Sequence, residues 1–265
     1  MIECGHDVIG YDRDPKLEHA RHNLVKLASH QIDDTSLRHF DVLIYLGGLT
    51  GRVACDVHSL DETRRENVHD PVALARRLTG AQTFIFASTS AIMEGYGDEP
   101  AHEDFAPQEG DHHHDLLDRY SYSMLTRERA MFRLARDRGA GAPQLIGLRF
   151  GTVIGNSIGQ RTDLSYMALV KSAVLTGVLH VTHRETWRAY LWLEDQIRAI
   201  ESIAAEPGKA HRYEIFHLAS FGATIGKAAS TIAMRLGARV HTHRHDGPDK
   251  AGFTLNASRF ASRFG

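Results

Sequence analysis

The stretch TFIFASTSAI, residues 83–92, has the form of a strand that runs into a turn. Its first six residues, 83–88, are rich in aromatic and β-branched side chains, which favour extended backbone. Thr89 and the serines on either side of it then end the apolar run. A short apolar run bounded by turn residues predicts a strand inside the core of a sheet.

Similar runs flank this strand on both sides. DVLIYL (41–46) predicts an earlier strand, and QLIGLRFG (144–151) predicts a later, buried one. Between the first two strands, Ser59 and Glu62 predict a capping box at the start of a helix. Pro71 lies further along the same helical pattern and is expected to break or kink it.

The two ends of the chain continue the alternation of strands and helices. HDVIGYD (6–12) predicts a strand, and residues 14–30 predict a helix with Asp14 as its N-cap and Pro15 at its first position. Towards the C-terminus the pattern predicts a helix near 164–176, then the strands VLHV, YEIFHLA and RVHTH with further helical segments. Such alternation is typical of an α/β fold with a mainly parallel sheet.

Composition excludes several classes of protein. The 265 residues carry 31 basic and 33 acidic side chains, 31 − 33 = −2, which gives no overall attraction to nucleic acid or to a membrane. No apolar run reaches the roughly 18 residues that span a bilayer. Two cysteines, Cys4 and Cys55, form no disulfide framework, so a cytoplasmic location is expected rather than secretion or membrane insertion.

Taken in order, the motifs of this chain resemble those of one known family. They are GHDVIGYDRDP, DVLIYLGGLTGR, ENVHDP, FIFASTSAI, the helix that begins at Tyr120, LRFGTVIG, TWRAYLWLEDQIRAI and YEIFHLAS. This series resembles the extended short-chain dehydrogenase/reductase family, the NAD-dependent epimerases and dehydratases of nucleotide-diphosphate sugars. The resemblance implies a Rossmann-like, doubly wound parallel sheet over residues 1–150. Over residues 151–265 it implies a smaller substrate-binding lobe together with returning sheet elements.

A carboxylate at the end of the first strand predicts the cofactor. Asp12 stands where an acidic residue accepts both ribose hydroxyls of adenosine and repels a 2′-phosphate, which favours NAD over NADP. The neighbouring cation, Arg13, is a second residue expected at the cofactor. By resemblance, the remaining cofactor-binding positions are Gln31, Ile32, Leu46, Gly47, Gly48 and Asn67.

The glycine-rich phosphate loop of the family has no counterpart in this sequence. GGLTG (47–51) lacks the GxGxxG spacing, and RVACDVHSLD after it does not predict an amphipathic helix that could hold pyrophosphate. The loop belongs about 20 residues before Asp12, but eleven residues precede it, and Gly5 is expected to cap the preceding helix. The first βα unit is therefore expected to be incomplete. Either the sequence begins late, or the sheet closes over the gap and phosphate binding is lost.

Tyr120 and Thr89 match the catalytic positions of the family. The resemblance implies that Tyr120 exchanges a proton with the sugar and that Thr89 hydrogen-bonds the reacting oxygen. A free tyrosine has a pKa near 10, so about one in a thousand is ionised at neutral pH. The family places a lysine four residues later, where this chain has Met124. Arg127 follows roughly 10 Å further along the helix, which is expected to be too far to replace that lysine.

Two arginines match substrate-binding positions. Arg161 and Arg188 are expected to contact a substrate diphosphate, a task that suits the guanidinium group, and Thr152 stands where the family often has an asparagine. Together these residues predict an oxidoreductase that acts on a nucleotide sugar. The alternative is a relative that binds a nucleotide sugar or a partner subunit without turnover, because the glycine loop and the lysine are both missing. A homodimer through the Tyr120 helix is implied by the family.

Two histidine-rich stretches are candidates for a metal-binding site. DHHHD (111–115) is expected to form a loop whose adjacent side chains diverge. HTHRH (241–245) predicts a strand with His241, His243 and His245 on one face. Three imidazoles can bind zinc, but an exposed edge strand is the expected explanation, so no metal site is predicted.

Overall fold

The structure is a computed structural model that describes residues 1, 5–13, 24–96, 99–157, 159–243 and 252–265. The chain forms two compact units. The first consists of Met1–Ala87, Arg119–Gly147 and Glu201–Glu214. The second consists of Ser88–Asp118, Leu148–Ile200 and Ile215–Gly265.

Strands and helices alternate along the chain. The strands are β1 Gly10–Asp12, β2 Leu24–Lys26, β3 Val42–Tyr45, β4 Thr83–Thr89, β5 Pro100–Ala101, β6 Gln144–Phe150, β7 Thr152–Ile154, β8 Val178–Val181, β9 Trp187–Trp192, β10 Tyr213–Leu218, β11 Phe221–Thr224, β12 Arg239–Thr242 and β13 Thr254–Leu255. The α-helices are α1 Asp34–Leu37, α2 Arg52–Val57, α3 Leu60–Arg64, α4 Asp70–Arg76, α5 His112–Asp115, α6 Arg119–Arg138, α7 Ser165–Thr176, α8 Leu193–Ala205, α9 Ile225–Leu236 and α10 Ser258–Phe264.

A parallel sheet of four strands in the order β10-β6-β4-β3 forms the centre of the fold. β3 and β4 pair in parallel with Val42 opposite Thr83, and β4 is buried along almost its whole length. Phe84, Ile85 and Phe86 are completely buried. This confirms the strands predicted around residues 83–88 and the α/β fold class.

The N-terminal strands form a separate ladder. β1 and β2 pair in parallel, with Gly10 opposite Leu24, and Leu27 N donates to Asp12 O at 2.9 Å. Among the described residues, no hydrogen-bonded strand joins β1 to β3. The predicted helix over residues 14–30 is therefore wrong at 24–26, where pairing with β1 overrides the helical pattern. Asp14 and Pro15 lie outside the described residues.

A helical segment with a π-helical insertion connects β3 to β4. Ser59 caps α3, and its hydroxyl oxygen accepts from Glu62 N at 3.1 Å, so the predicted capping box is confirmed. A π-helical segment, Arg65–His69, then leads into α4. Pro71 is the second residue of α4, so the predicted break is absent, and the regular helical pattern changes to the π-helical one just before the proline.

Several short helices were not expected from the sequence, among them α1, α2, α5 and α10. Residues 52–57 form α2 directly after the GGLTG turn, where no amphipathic helix able to hold pyrophosphate was predicted. The helix has six residues, and Val53 and Val57 are 66% and 74% exposed, so it is not a long amphipathic helix. DHHHD contains the single turn α5 instead of a loop.

The second unit contains three small sheets. Among the described residues they have the orders β11-β9-β7, β12-β8 and β13-β5. Of their strands, β8 and β12 were predicted from the sequence. α7 and α9 pack beside β8 around a core that includes Leu169, Leu179, Val181, Ile232 and Ala233. None of the helices in the described part of the chain is both long enough and apolar enough to cross a bilayer.

Candidate active site

Tyr120 is the second residue of the long helix α6 and is partly exposed. The start of this helix is fixed by Arg119, whose Nη1 donates to the carbonyl oxygens of Cys55 and His58 at 2.8 Å each. Met124, one turn after Tyr120, is 4% exposed and packs in the core. The helix therefore holds Tyr120 at a fixed place while Met124 contributes packing alone.

Arg127 is completely buried beneath the same helix. Its Nε donates to the carbonyl oxygen of Asn67, and its Nη1 donates to the carbonyl oxygen of Ala87 at 2.8 Å. Its Nη2 lies 3.4 Å from the carbonyl oxygen of Gly47. One guanidinium group thus joins the ends of β3 and β4 to the π-helical segment.

The charge of Arg127 interacts with two tyrosines. Its guanidinium carbon lies 5.6 Å from the centre of the Tyr45 ring. Burial lowers the pKa of the Arg127 guanidinium, while electrostatic interactions with Tyr45, Tyr120 and Glu128 oppose that effect. Arg127 is therefore a buried cation on the same helix as Tyr120, beside the Tyr45 ring. The expectation that it lies too far along the helix to replace the lysine stays a prediction.

Asn67 is fully buried and ties the turn after β3 to α6. Its Oδ1 accepts from Leu49 N at 2.7 Å, and its Nδ2 donates to Leu49 O at 3.1 Å and to Ser123 Oγ at 2.9 Å. Ser123 Oγ in turn donates to Tyr120 O at 2.7 Å. A predicted cofactor residue and the predicted catalytic tyrosine are thus linked through one serine.

Gly48 lies against this network with φ of 125°. A Cβ atom here would lie 2.5 Å from Asn67 Oδ1 and 3.0 Å from Arg127 Nη2. The position therefore requires glycine both for its backbone conformation and for its space. At Gly47, a Cβ atom would lie 3.3 Å from the Tyr45 ring, so this half of the turn is also closely packed.

The remaining predicted cofactor residues lie around the ends of β1 and β3. Asp12 is the last residue of β1, and Leu46, which directly follows β3, is 51% exposed. Arg13 Nη1 lies 2.6 Å from Glu66 Oε1. Burial raises the pKa of Glu66, but hydrogen bonds from Arg13 and from Arg65 outweigh it and hold that pKa below its usual value. The Arg13 guanidinium is thus committed to a carboxylate.

Gln31 and Ile32 form a tight corner ahead of α1. Gln31 Oε1 accepts from Ala28 N at 3.0 Å, so this amide closes its own turn. Ile32 is 6% exposed, and its carbonyl oxygen accepts from Arg77 Nη2. Both side chains have evident structural roles, and the predicted contacts with adenine stay predictions.

Thr89 ends β4 and caps the 3-10 helix that follows it. Its Oγ1 accepts from Ala91 N at 3.2 Å, and the residue is 7% exposed. The hydroxyl proton is not used in that bond. Thr89 therefore acts as a turn former, as its sequence position suggests, and still carries a donor for another oxygen.

The predicted substrate residues all belong to the second unit. Arg161 forms a two-pronged ion pair with Asp163, with Nε to Oδ1 at 3.1 Å and Nη2 to Oδ2 at 2.6 Å. Arg188 Nη2 lies 3.8 Å from Glu94 Oε1, and its guanidinium carbon lies 5.7 Å from the Phe253 ring centre. Thr152 begins β7, opposite Tyr190 of β9.

The burial of Arg127 is the feature of this site that the sequence did not predict. Tyr120, Met124 and Arg127 are spaced four and three residues apart, which places all three on one face of a helix. An arginine on the face that packs against a sheet was the available signal. Distance along the helix axis does not give the position of the guanidinium, which lies at the end of a long side chain and bonds to carbonyl oxygens after β3 and in β4.

Comparisons with known proteins agree with this architecture. The family model described as "NAD dependent epimerase/dehydratase family" matches residues 1–219. No curated protein sequence matches the chain.

Three solved structures with this fold are similar to the chain. MoeE5 in complex with UDP-glucose and NAD has a TM-score of 0.79 and 21% identity, with 99% of this chain and 85% of that chain covered. TunA, an NAD dependent-NDP-hexosamine 5,6-dehydratase, has a TM-score of 0.79 and 16% identity over 100% and 84%. UDP-Glucuronic acid 4-epimerase from Bacillus cereus has a TM-score of 0.73 and 17% identity over 92% and 76%.

Proposed function

Because the chain belongs to the NAD-dependent epimerase/dehydratase family, we propose that it is an oxidoreductase that acts on a nucleotide-diphosphate sugar with NAD as cofactor. The proposal depends on one observation above all. Arg127, a cation on the helix face of Tyr120 and Met124, is completely buried beside the Tyr45 ring, in a helix where Met124 replaces the family's lysine. We assign its positive charge the electrostatic part of that lysine's role.

The residues present fit the adenosine part of NAD. Asp12 ends β1 with a carboxylate of the kind that accepts ribose hydroxyls. Gly47 and Gly48 keep the turn after β3 free of side chains. Arg13 is paired with Glu66, so it offers less to a 2′-phosphate, and this supports NAD over NADP. When bound, NAD would supply the hydride acceptor.

The chemistry assigned to the chain's own residues is proton transfer. The phenolic oxygen of Tyr120 accepts a proton from a sugar hydroxyl and returns it later. The positive charge of Arg127 stabilises the tyrosinate, because the guanidinium is buried where water screens it little. The resemblance assigns Thr89 a hydrogen bond to the reacting oxygen, and its unused hydroxyl proton is suited to make it.

The nucleotide-sugar substrate is assigned to the arginines of the second unit. A diphosphate would replace the carboxylate of Asp163 as the partner of Arg161, since both offer oxygens to the same guanidinium. Arg188 is held by a longer contact to Glu94, at 3.8 Å, and is assigned the same ligand. Solved relatives such as MoeE5 contain UDP-glucose together with NAD.

A homodimer through α6 is also proposed. This helix exposes two large side chains, Tyr122 and Phe132, which are 40% and 50% exposed. Light scattering at several protein concentrations measures the mass directly. Tyr122→Glu together with Phe132→Glu should convert a dimer to a monomer, whereas a monomer in the unchanged chain would refute this part of the proposal.

The experiment that tests the function combines chain, NAD and a panel of UDP- and dTDP-sugars. Chromatography or NMR should detect an epimerised or dehydrated sugar from at least one member of the panel. Tyr120→Phe should abolish the product, while Tyr122→Phe, two residues away on the same helix, should not. No product from any nucleotide sugar, with folded protein and detectable NAD binding, would count against the oxidoreductase.

A further inference from the structure

A cluster of three histidines lies in the second unit, on β8 and at the end of β12. β8 and β12 pair in parallel, and His180 lies directly opposite His241. His243 follows β12 and continues the ladder, since its N donates to Val181 O at 2.9 Å. Alternation along a strand places His241 and His243 on the same side.

The opposite face of β8 is buried. Leu179 and Val181, which alternate with His180, are 0% and 1% exposed and pack into the core with α7 and α9. β12 is exposed along its length and is held in place by its pairing with β8. The side chains of the three histidines are exposed to solvent.

The imidazole nitrogens converge on one point. His180 Nδ1 lies 2.7 Å from His243 Nε2, and one ligand nitrogen from each of the three rings lies within 4.8 Å of the others. Zinc–nitrogen bonds of about 2.0–2.1 Å in a tetrahedral arrangement place two nitrogens about 3.4 Å apart. The His180–His243 separation is shorter than this value and the others are at most 4.8 Å, so small side-chain rotations bring the three nitrogens to it.

We propose that His180, His241 and His243 form a binding site for a divalent transition-metal ion of the zinc, cobalt, nickel and copper group. Imidazole nitrogens suit these ions, whereas magnesium and calcium require oxygen ligands. Three protein nitrogens leave a fourth position for water. The bound ion fastens β8 to β12 and so stabilises the second unit.

This set of three histidines cannot be predicted from the side-chain pattern of one strand alone. His241 and His243 were recognised together with His245, but His180 lies more than 60 residues earlier and joins them through the pairing of β8 with β12. His245 is outside the described residues. Two described cations lie near the cluster along the chain or through contacts: Arg239, two residues before His241 and exposed, and Arg184, whose Nη1 lies 3.4 Å from Thr242 Oγ1.

Metal binding to the full chain, prepared without a histidine tag, tests the proposal. Calorimetry with zinc should show one equivalent, and zinc but not magnesium should raise the melting temperature, since a ligand of the folded state stabilises it. Cobalt should give the visible absorption of a four-coordinate site. His180→Gln, His241→Gln and His243→Gln should each weaken zinc binding by at least about 10-fold, the cost of disturbing even an outer partner of a metal.

Two control variants identify the site. His39→Gln changes an exposed histidine outside the cluster and should leave zinc binding unchanged. His112→Gln with His114→Gln changes the other histidine-rich stretch and should also have no effect. Zinc affinity that survives His180→Gln in a folded protein, or that is lost with the 112/114 pair instead, would overturn the proposal.

Discussion

The side-chain amide of Asn67 donates a hydrogen bond of 2.9 Å to Ser123 Oγ, between the π-helical segment and α6. Both residues are buried, at 0% and 4% exposure. Ser123 passes the connection to the carbonyl oxygen of Tyr120. The position of the tyrosine is thereby set by a residue that lies more than 50 positions earlier in the chain.

Removal of the Ser123 hydroxyl should destabilise the fold. Ser123→Ala leaves Asn67 Nδ2 with one partner fewer in a buried place, which should lower the free energy of unfolding by about 1–2 kcal/mol. Urea denaturation measures the change. Thr126→Ala removes a comparable hydroxyl bond to the helix backbone at a half-exposed position and should cost less than about 0.5 kcal/mol. Equal effects from the two variants would mean that the Asn67 contact contributes little.

The charge of Arg127 should be measurable in the pH dependence of activity. Arg127→Gln removes the cation coupled to Tyr120, so turnover near neutral pH should fall by roughly 10- to 100-fold and recover as pH rises. Arg133→Gln, at an exposed position of the same helix, is the matched control. A proportional loss at every pH would indicate a purely structural role.

A second pair of variants distinguishes an electrostatic role of Arg127 from a purely structural one. Arg127→Ala should be inactive near neutral pH, and adding Met124→Lys should restore part of the activity, because a lysine then supplies the cation from the same helix face. Circular dichroism should first establish that both proteins are folded. Without recovery in a folded double variant, the cation cannot be supplied from position 124.

Gly48→Ala should be strongly destabilising. Its φ of 125° is strained for alanine, and the new Cβ would lie 2.5 Å from Asn67 Oδ1, so a loss of about 2–4 kcal/mol is expected. Gly110 also has a positive φ, 91°, but nothing lies within 4 Å of its Cβ position. Gly110→Ala should therefore cost about 1–2 kcal/mol. The difference between the two variants measures the collision alone.

His217 should make the fold sensitive to mild acid. Burial, with the positive charge of Arg149, lowers the pKa of His217 to about 3, far below the value near 6.5 of an unfolded histidine. The neutral ring is favoured in the folded state, so its stabilisation is complete above about pH 6.5 and is lost as pH falls towards 3. Stability should decline by up to about 1.4 kcal/mol per pH unit from this group.

Urea denaturation between pH 7 and pH 5 checks this slope before most carboxylates titrate. His217→Gln should flatten it, and His39→Gln, at an exposed position, should not. A slope unaffected by His217→Gln would assign the acid sensitivity to other groups. Asp104 and Asp163, whose pKa values are lowered by hydrogen bonds from arginines, lose their stabilisation only at lower pH.

The sequence predicted the parts of the fold that depend on local pattern. The strands at 42–45, 83–89 and 144–150 were found because unbroken apolar runs identify buried strands, and the Ser59 capping box is a local hydrogen-bond motif. β2 was missed because its three residues become a strand only through pairing with β1. Local pattern carries no information on such a partner.

The same distinction applies to the site. Tyr120 and Thr89 are predicted from motif order alone, whereas the roles proposed for Arg127 and His180 depend on contacts with distant segments. The place of the Arg127 guanidinium depends on three carbonyl groups, which belong to the ends of two strands and to the π-helical segment. The place of His180 beside His241 and His243 depends on the pairing of β8 with β12, two strands that lie about 60 residues apart in the last third of the chain.

Pro71 changes which group donates a hydrogen bond to the carbonyl oxygen of Asn67 in the π-helical segment. In a regular helix the carbonyl oxygen of Asn67 would accept from the N–H of residue 71, and proline has none. That oxygen accepts instead from Arg127 Nε. This hydrogen bond therefore joins the π-helical segment to α6, whereas the corresponding bond of a regular helix lies within a single helix. Neither segment can unfold alone at this point without leaving the buried Asn67 carbonyl or the buried Arg127 guanidinium without that partner. Their amide protons should exchange with solvent together, as one cooperative unit.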